Sequence, residues 1–264
     1  MTRTAARAIV LLSDFGTRDW YVATLKGVLL SRAPRARLID ITHEVPPQDV
    51  VAGAFTLAAA APWFPRGTVF LAVVDPGVGT DRTLLAARAD GRYFVGPDNG
   101  LLSLSLERAR ERTVVRLTSR RHWLASISQT FQGRDIMAPV AAYLARGGAL
   151  RELGPTLRAF TPLALPVVQR RGPRIKGCVV HIDAFGNLIT NLPGVLLSGA
   201  SAARRTALRY KDRDVRVVSS YGHGRPSELI AVVASLGVIE LAVREGSAAW
   251  VFNAKRGDKV EMKV

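Results

Sequence analysis

A chain of 264 residues with 48% hydrophobic content can bury a substantial core, as one large domain or two smaller ones. Its single cysteine, Cys178, excludes an intramolecular disulfide and a cysteine-only metal cage, and His43, His122, His181 and His223 show no metal-ligand spacing. The net charge of +16 comes mostly from arginine, because only six of the 37 basic residues are lysine, and the scatter of these arginines along an Ala-rich chain argues against a specific nucleic-acid footprint.

Residues 8–13 read as a buried strand that stops at Asp14-Phe15-Gly16, too short and too soon interrupted to be a signal segment. An amphipathic helix is expected over 20–30 and a second strand over 37–42. The Ala-rich stretch 48–61 reads as a helix ended by Pro62 and Pro65. The longest nearly apolar run, 50–64, falls short of a membrane span, so a soluble cytoplasmic protein is expected. A third strand over 68–74 closes a βαβαβ unit with right-handed connections. Asp90-Gly91, between apolar runs at 84–89 and 92–95, is a hairpin signal. A helix over 101–110, a strand over 113–117 and a helix over 136–146 complete an α/β N-terminal domain of Rossmann-like units on a mostly parallel sheet.

Between about 153 and 177 the pattern changes: prolines and glycines punctuate it and no helical period survives. The expected division is an N-terminal domain over 1–160, a linker over 161–174 and a C-terminal all-β domain over 175–264. Short strands are expected there at 177–182, 187–191, 206–210, 215–219, 229–234, 238–243, 250–253 and 259–264. That spacing fits a small antiparallel barrel or a sandwich.

The chemistry centres on AVVDPGVGTDR (72–82). An apolar run ends on Asp75, Pro76-Gly77 forbids its continuation, and Arg82 follows seven residues on. With Asp14 at the end of the first strand, two acids stand at the carboxyl ends of two strands, where α/β folds form ligand crevices. Phosphate-loop, nucleophile-elbow and zinc-protease signatures are absent, and Gly77-Val78-Gly79 lacks the third small residue of a dinucleotide fingerprint. Acidic and polar loop residues remain, with aromatics: Asp14, Asp19, Asp75, Arg82, Asp183, Phe185 and Asn187. They suit an uncharged or cationic small molecule that carries hydroxyls and an aromatic ring.

Six motifs in order, SDFGTRDWYVATLKGVL (13–29), ITHEVPPQD (41–49), VVDPGVGTDR (73–82), GPDNGLL (96–102), TFQGRDIMAPVAAYLA (130–145) and HIDAFGNLITNL (181–192), together resemble the S-adenosyl-L-methionine (SAM) hydroxide adenosyltransferases, or SAM hydrolases, relatives of the bacterial fluorinase and chlorinase. The resemblance implies an α/β domain followed by a β-barrel. It also implies a homotrimer with SAM held at the subunit interface, and attack of water or hydroxide on C5′ of SAM to release adenosine and L-methionine. No cofactor is implied, SAM being the substrate, and no general acid is required, because the sulfonium is already a good leaving group. Carried over by position, Asp75 and Arg82 are the first two members of an Asp-Arg-His triad that holds the water, and Gln132 stands where the family has His. Asp14 corresponds to the acid on the ribose diol, Asp19 and Asp183 to acids near the methionine amino end, and Ser235 to a hydroxyl near its carboxylate. Phe185, Asn187 and Tyr221 correspond to the adenine pocket. Gln48, where an aromatic or large apolar group is usual, and Arg244, where hydrolases usually carry Asn, are further departures. Two alternatives stay open: a SAM- or adenosine-binding protein with little turnover, from the loss of the His, and a SAM-dependent halogenase.

Overall fold

The computed structural model describes residues 8–197 and 207–263. Thr206 and Val264, at the margins of two expected strands, lie outside the described residues. The chain forms two compact units, Met1–Leu163 and Ala164–Val264.

The first unit begins with β1 (Ala8–Ser13), α1 (Tyr21–Arg32), β2 (Arg37–Thr42), α2 (Val50–Ala60) and β3 (Val69–Val73). β4 (Leu84–Ala89), β5 (Arg92–Pro97), α3 (Ser103–Glu107), β6 (Arg112–Arg116), α4 (Ala138–Ala145) and β7 (Thr156–Leu157) follow. The sheet order is β2-β1-β3-β5-β4-β6-β7. The first four strands are mutually parallel; β4 joins antiparallel and β6 again runs with the parallel set. The β4–β5 hairpin turns at Asp90-Gly91, with φ of 45° and 79°, as a two-residue turn with positive φ at both positions requires.

β1 explains why the unit has two layers of helices. Its residues are buried on both faces: Ile9 and Leu11 pack with Leu25 and Leu29 of α1 and with α4, whereas Val10 and Leu12 pack with Leu57 of α2, Phe70 and Leu101. The period of two sends alternate side chains into separate cores, which is why this strand reads as a continuous apolar run. The α1 connection leaves β1 on one face and the α2 connection returns on the other, to β3 on the opposite side of β1. The strand order therefore reverses at β1/β3, and a crevice opens at the carboxyl ends of these two strands.

Three expected boundaries shift. α2 starts at Val50, because Asp49 caps it by accepting from Ala52 N at 2.9 Å, and Gln48 adopts a left-handed φ of 64° outside the helix. The expected helix over 101–110 shortens to α3. The helix after Gln132 opens with a π-helical turn, Gly133–Met137, that leads into α4.

The second unit contains β8 (Gln169–Arg171), β9 (Arg174–Ile182), β10 (Leu188–Pro193), β11 (Ala207–Tyr210), β12 (Arg213–Val217), β13 (Leu229–Val233), β14 (Val238–Val243) and β15 (Lys259–Lys263). β8, within the stretch expected as linker, forms a hairpin with β9. The order β9-β10-β14-β13-β12-β11-β15 returns to β9 and closes a seven-stranded barrel, antiparallel except for β12–β13. Closure decides between the two all-β architectures left open by the strand spacing. Leu208, Tyr210, Val260, Met262, Ile239 and Leu241 fill its interior.

One expected strand is a helix. Residues 250–253 fall on the short helix Ala248–Val251 and its end, where Ser247 caps the turn by accepting from Trp250 N at 3.1 Å. The apolar run Trp250-Val251-Phe252 pairs with no strand among the described residues, and a capped turn satisfies its first donors instead. Among the described residues, no helix is long and apolar enough to cross a membrane.

Candidate active site

In the α/β unit the β1 and β3 ends converge as their order predicts. Asp14, Phe15, Gln48, Asp75, Phe131 and Gln132 all line one cavity of about 570 Å³. Asp75 sits two residues beyond β3 with its side chain only 5% exposed, and Arg82 is 9% exposed. Arg82 Nε donates to Asp75 Oδ1 at 2.6 Å and Nη2 donates to Oδ2, a two-point clamp that fixes the carboxylate plane. The loop folds tightly enough for this because Gly79 has φ of 84°, and a Cβ there would meet Gln129 O at 3.0 Å. Asn99 Nδ2 donates to Val74 O at 2.9 Å and anchors the strand end from the GPDNGLL motif.

Asp14 is held differently. Its Oδ2 accepts from Gln48 N at 2.8 Å, so the left-handed turn before α2 brings a backbone donor to the carboxylate. Below it runs a chain of polar groups that the sequence reading passed over. Ser13 Oγ is 2.6 Å from His43 Nδ1, His43 Nε2 is 3.1 Å from Asp40 Oδ1, and Lys26 Nζ is 2.6 Å from Asp40 Oδ2. A carboxylate only accepts, so His43 donates from Nε2, and in the neutral ring Nδ1 accepts from the Ser13 hydroxyl. Burial works to raise the Asp40 carboxyl, but hydrogen bonds from Lys26 and His43 outweigh it and hold the group below its usual value. Ser13 and His43 are buried, so this Ser-His-Asp arrangement fastens the β1 end to the 43–48 loop instead of presenting a nucleophile. Gly16 N, which donates to His43 O at 2.7 Å, adds to the same junction.

Gln132 immediately precedes the π-helical turn, a distortion that recurs at functional positions. The loop before it is pinned by Asp135, fully buried, which accepts from Ser128 N at 2.8 Å and from Arg134 Nε at 2.6 Å. Phe15, Tyr21 and Phe131 form a mutual aromatic wall, with ring centroids 5.3–5.8 Å apart. Phe15 and Tyr21 stand in the first of the six motifs and Phe131 in the fifth, and only the fold brings the three rings together. Asp19 lies exposed in the bend before α1 and does not line the cavity.

In the barrel unit, Asp183, Phe185 and Asn187 share the β9–β10 turn. Asp183 Oδ1 accepts from Phe185 N and Asn187 N at 2.9 and 2.8 Å, and Oδ2 accepts from Asn187 Nδ2 at 2.9 Å. The turn is thus organised by its own acid, and it leaves Phe185 80% exposed. Tyr221 donates its hydroxyl to Glu240 Oε1 at 2.7 Å. Burial, that hydrogen bond and the charges of Glu240 and Asp183 push the Tyr221 hydroxyl up. Burial and the Asp183 charge likewise raise Glu240, partly offset by the Tyr221 hydrogen bond. Glu240, missed in the sequence, is legible as the acid inside the apolar strand VIELAV. Ser235 lies exposed in the β13–β14 turn. Arg244 donates to Gly224 O at 2.7 Å and pairs with Glu245 at 3.2 Å.

Residues 9–154 match the SAM hydroxide adenosyltransferase N-terminal domain, and residues 177–261 match the C-terminal domain of the same family. This chain belongs to that family. Among similar adenosyltransferases, the (R)-S-adenosyl-L-methionine hydrolase of Salinispora tropica is 41% identical, the alignment covering 96% of this chain and 97% of the relative. That of Thermus thermophilus is 39% identical over 97% and 99% of the two chains. A fluorinase of Actinoplanes is more distant, at 29% identity over 94% and 95%. Among solved structures, a conserved protein of Thermotoga maritima superimposes with a TM-score of 0.87 at 34% identity, over 97% of this chain and all of the other.

Proposed function

We propose that this adenosyltransferase hydrolyses SAM to adenosine and L-methionine by in-line attack of a water or hydroxide on C5′. The observation that carries the reading is the convergence of Asp14, Asp75 and Gln132 on one cavity of nucleoside size, with Asp75 clamped by Arg82. A sulfonium needs no general acid to leave, so the protein has to exclude bulk water and orient one oxygen. Asp75 accepts a hydrogen bond from that oxygen and takes its proton late, and Arg82 favours its hydroxide character. Gln132 both donates and accepts, so its amide positions the water in place of an imidazole. Asp14 accepts from the two ribose hydroxyls, and the Gln48 backbone donor keeps its carboxylate in place.

Asp19, Asp183 and Ser235 are the groups for the methionine end, and Phe185, Asn187 and Tyr221 those for adenine. The reading includes a homotrimer in which the α/β unit of one chain and the barrel of a neighbour enclose each SAM. The exposed Phe185 and Trp250 are aromatic anchors of the kind enriched at interfaces, which supports it. A cytoplasmic location and the absence of any cofactor belong to the same reading.

Incubation of the pure protein with SAM, followed by separation of the products, tests it. Adenosine with methionine is the expected result. A 5′-halo-adenosine formed with added halide overturns the choice of nucleophile, which the paired Asp75 carboxylate disfavours by repelling an anion. Unchanged SAM with a measurable Kd overturns the hydrolase and supports the alternative that loss of the His makes possible, a binding protein with little turnover.

A further inference from the structure

Arg82 is held by Asp75 along one edge only. Its Nε and Nη2 are committed to Asp75, but Nη1, on the edge of the guanidinium away from the carboxylate, has no partner among the described residues. Arg82 lines a second cavity of about 390 Å³ and not the one that Asp75 faces. Arg116, Arg120, Trp123, Gln129 and Gln132 line it too, and Gln132 is common to both cavities. No carboxylate is among its lining residues. Neither Arg116 nor Arg120 has an ion pair among the described residues, and the Arg120 guanidinium lies 5.8 Å from the Trp123 ring centre.

Arg116 and Arg120, with no ion pair among the described residues, bring two cations to the concavity that the Asp75-paired Arg82 also lines, and that net positive charge favours an anion there. Surface arginine clusters are cheap in water, but Arg82 is nine-tenths buried, and a buried guanidinium with an open donor favours an acceptor beside it. Gln129 and Gln132, which also line the cavity, carry neutral amides that can donate.

We propose that this second cavity is a binding site for a small oxyanion, held by Arg116, Arg120 and the free edge of Arg82. An oxyanion there draws the Arg82 guanidinium from the side away from Asp75 and offsets its charge. Resting on the hydrolase reading for its effect on turnover, the proposal makes the occupant a brake. Arg82 favours hydroxide character less, and kcat falls while KM for SAM stays unchanged.

The test is calorimetric titration of the full chain with inorganic phosphate, and separately with acetate, at constant ionic strength. Saturable binding of one anion per chain is expected. It should weaken tenfold or more in the Arg116→Ala/Arg120→Ala double variant and in Gln129→Glu, which puts a carboxylate into the cavity. The stronger of the two titrants identifies the site as one for a tetrahedral oxyanion or for a carboxylate. Absence of saturable binding, or equal binding by wild type and both variants, overturns the site. The kinetic arm expects kcat of the wild type to fall with the bound anion and that of the double variant to stay level. Saturable binding with no change in kcat overturns the coupling to Arg82. A wild type that makes no adenosine refutes the hydrolase reading and leaves the titration fully readable.

Discussion

At the scale of single residues, Asp75 and Gln132 carry the sharpest expectations. Asp75 is assigned to the water, so Asp75→Ala should abolish turnover and leave SAM affinity within a few-fold, by calorimetry against product formation. A parallel fall in affinity and rate would make Asp75 a substrate ligand. Removing the carboxylate strands the Arg82 charge in a nearly buried place, so Asp75→Asn, which keeps an acceptor for Arg82, is the companion variant. Gln132 tests what the family His does. A true general base contributes typically 10²- to 10⁴-fold, so Gln132→His would raise kcat by that much and add a rate rise between pH ~6 and 7 if proton transfer were limiting. We expect a change of less than about tenfold, roughly 1.4 kcal/mol of barrier, because the sulfonium leaves readily and the Asp75–Arg82 pair is intact. A hundredfold gain with a new titration would mean that this chain has lost its base.

At the scale of elements, the loops that form the cavity are held by polar junctions as well as by packing. The β1 end is tied through Ser13, His43, Asp40 and Lys26, and the 124–132 loop through Asp135. The barrel has a comparable junction beside β15, where Asp258 accepts from Tyr210 Oη at 2.8 Å and Lys255 N at 3.0 Å and pairs with Lys211 at 3.1 Å. Burial alone would raise the Asp258 carboxyl; these hydrogen bonds and the Lys211 charge together hold it below its usual value. The unfolded chain therefore binds this proton more tightly than the folded one. Asp258 contributes stability above its unfolded value of about 4, and that contribution is lost as the pH falls through its lower folded value. Denaturant unfolding of wild type and Asp258→Asn from pH ~6 to ~3 should show the variant less stable at pH 6 and the two curves converging on acidification. A constant gap across that range would place the Asp258 contribution outside its charge.

At the scale of the whole molecule, the proposed trimer makes a prediction that no single chain can satisfy. If each SAM is enclosed by the α/β unit of one chain and the barrel of another, Asp75→Ala and Asn187→Ala disable different partners of the same site. Co-refolding two inactive variants in equal amounts should then restore a measurable fraction of activity, because some mixed trimers contain one site with neither substitution. An inactive mixture, with mixed trimers demonstrated by mass, would place both residues in one chain's site. The proposed trimer also bears on net charge: +16 per chain is repulsive, and salt should strengthen association.

What the sequence determined by itself was whatever depends on local pattern. β1 and β3 were visible because strands buried on both faces are continuously apolar, and their ends because Asp14 and Pro76-Gly77 interrupt those runs sharply. The Asp90-Gly91 hairpin was visible because few residue pairs accept two positive φ values. The six motifs in order identified the family. Tertiary structure decided what depends on distant partners. The strand expected at 250–253 became a capped turn because no strand pairs with it there. α2 began at Val50 because Asp49 found a donor and Gln48 was drawn towards Asp14. Barrel over sandwich was settled by the β9–β10 pairing, which alternation cannot encode. The Ser13–His43–Asp40–Lys26 chain joins four residues from three segments, so nothing in their spacing announced it. The same holds for Arg82: its distance from Asp75 in sequence is seven residues, but only the folded loop turns one edge of its guanidinium to the carboxylate and leaves the other free.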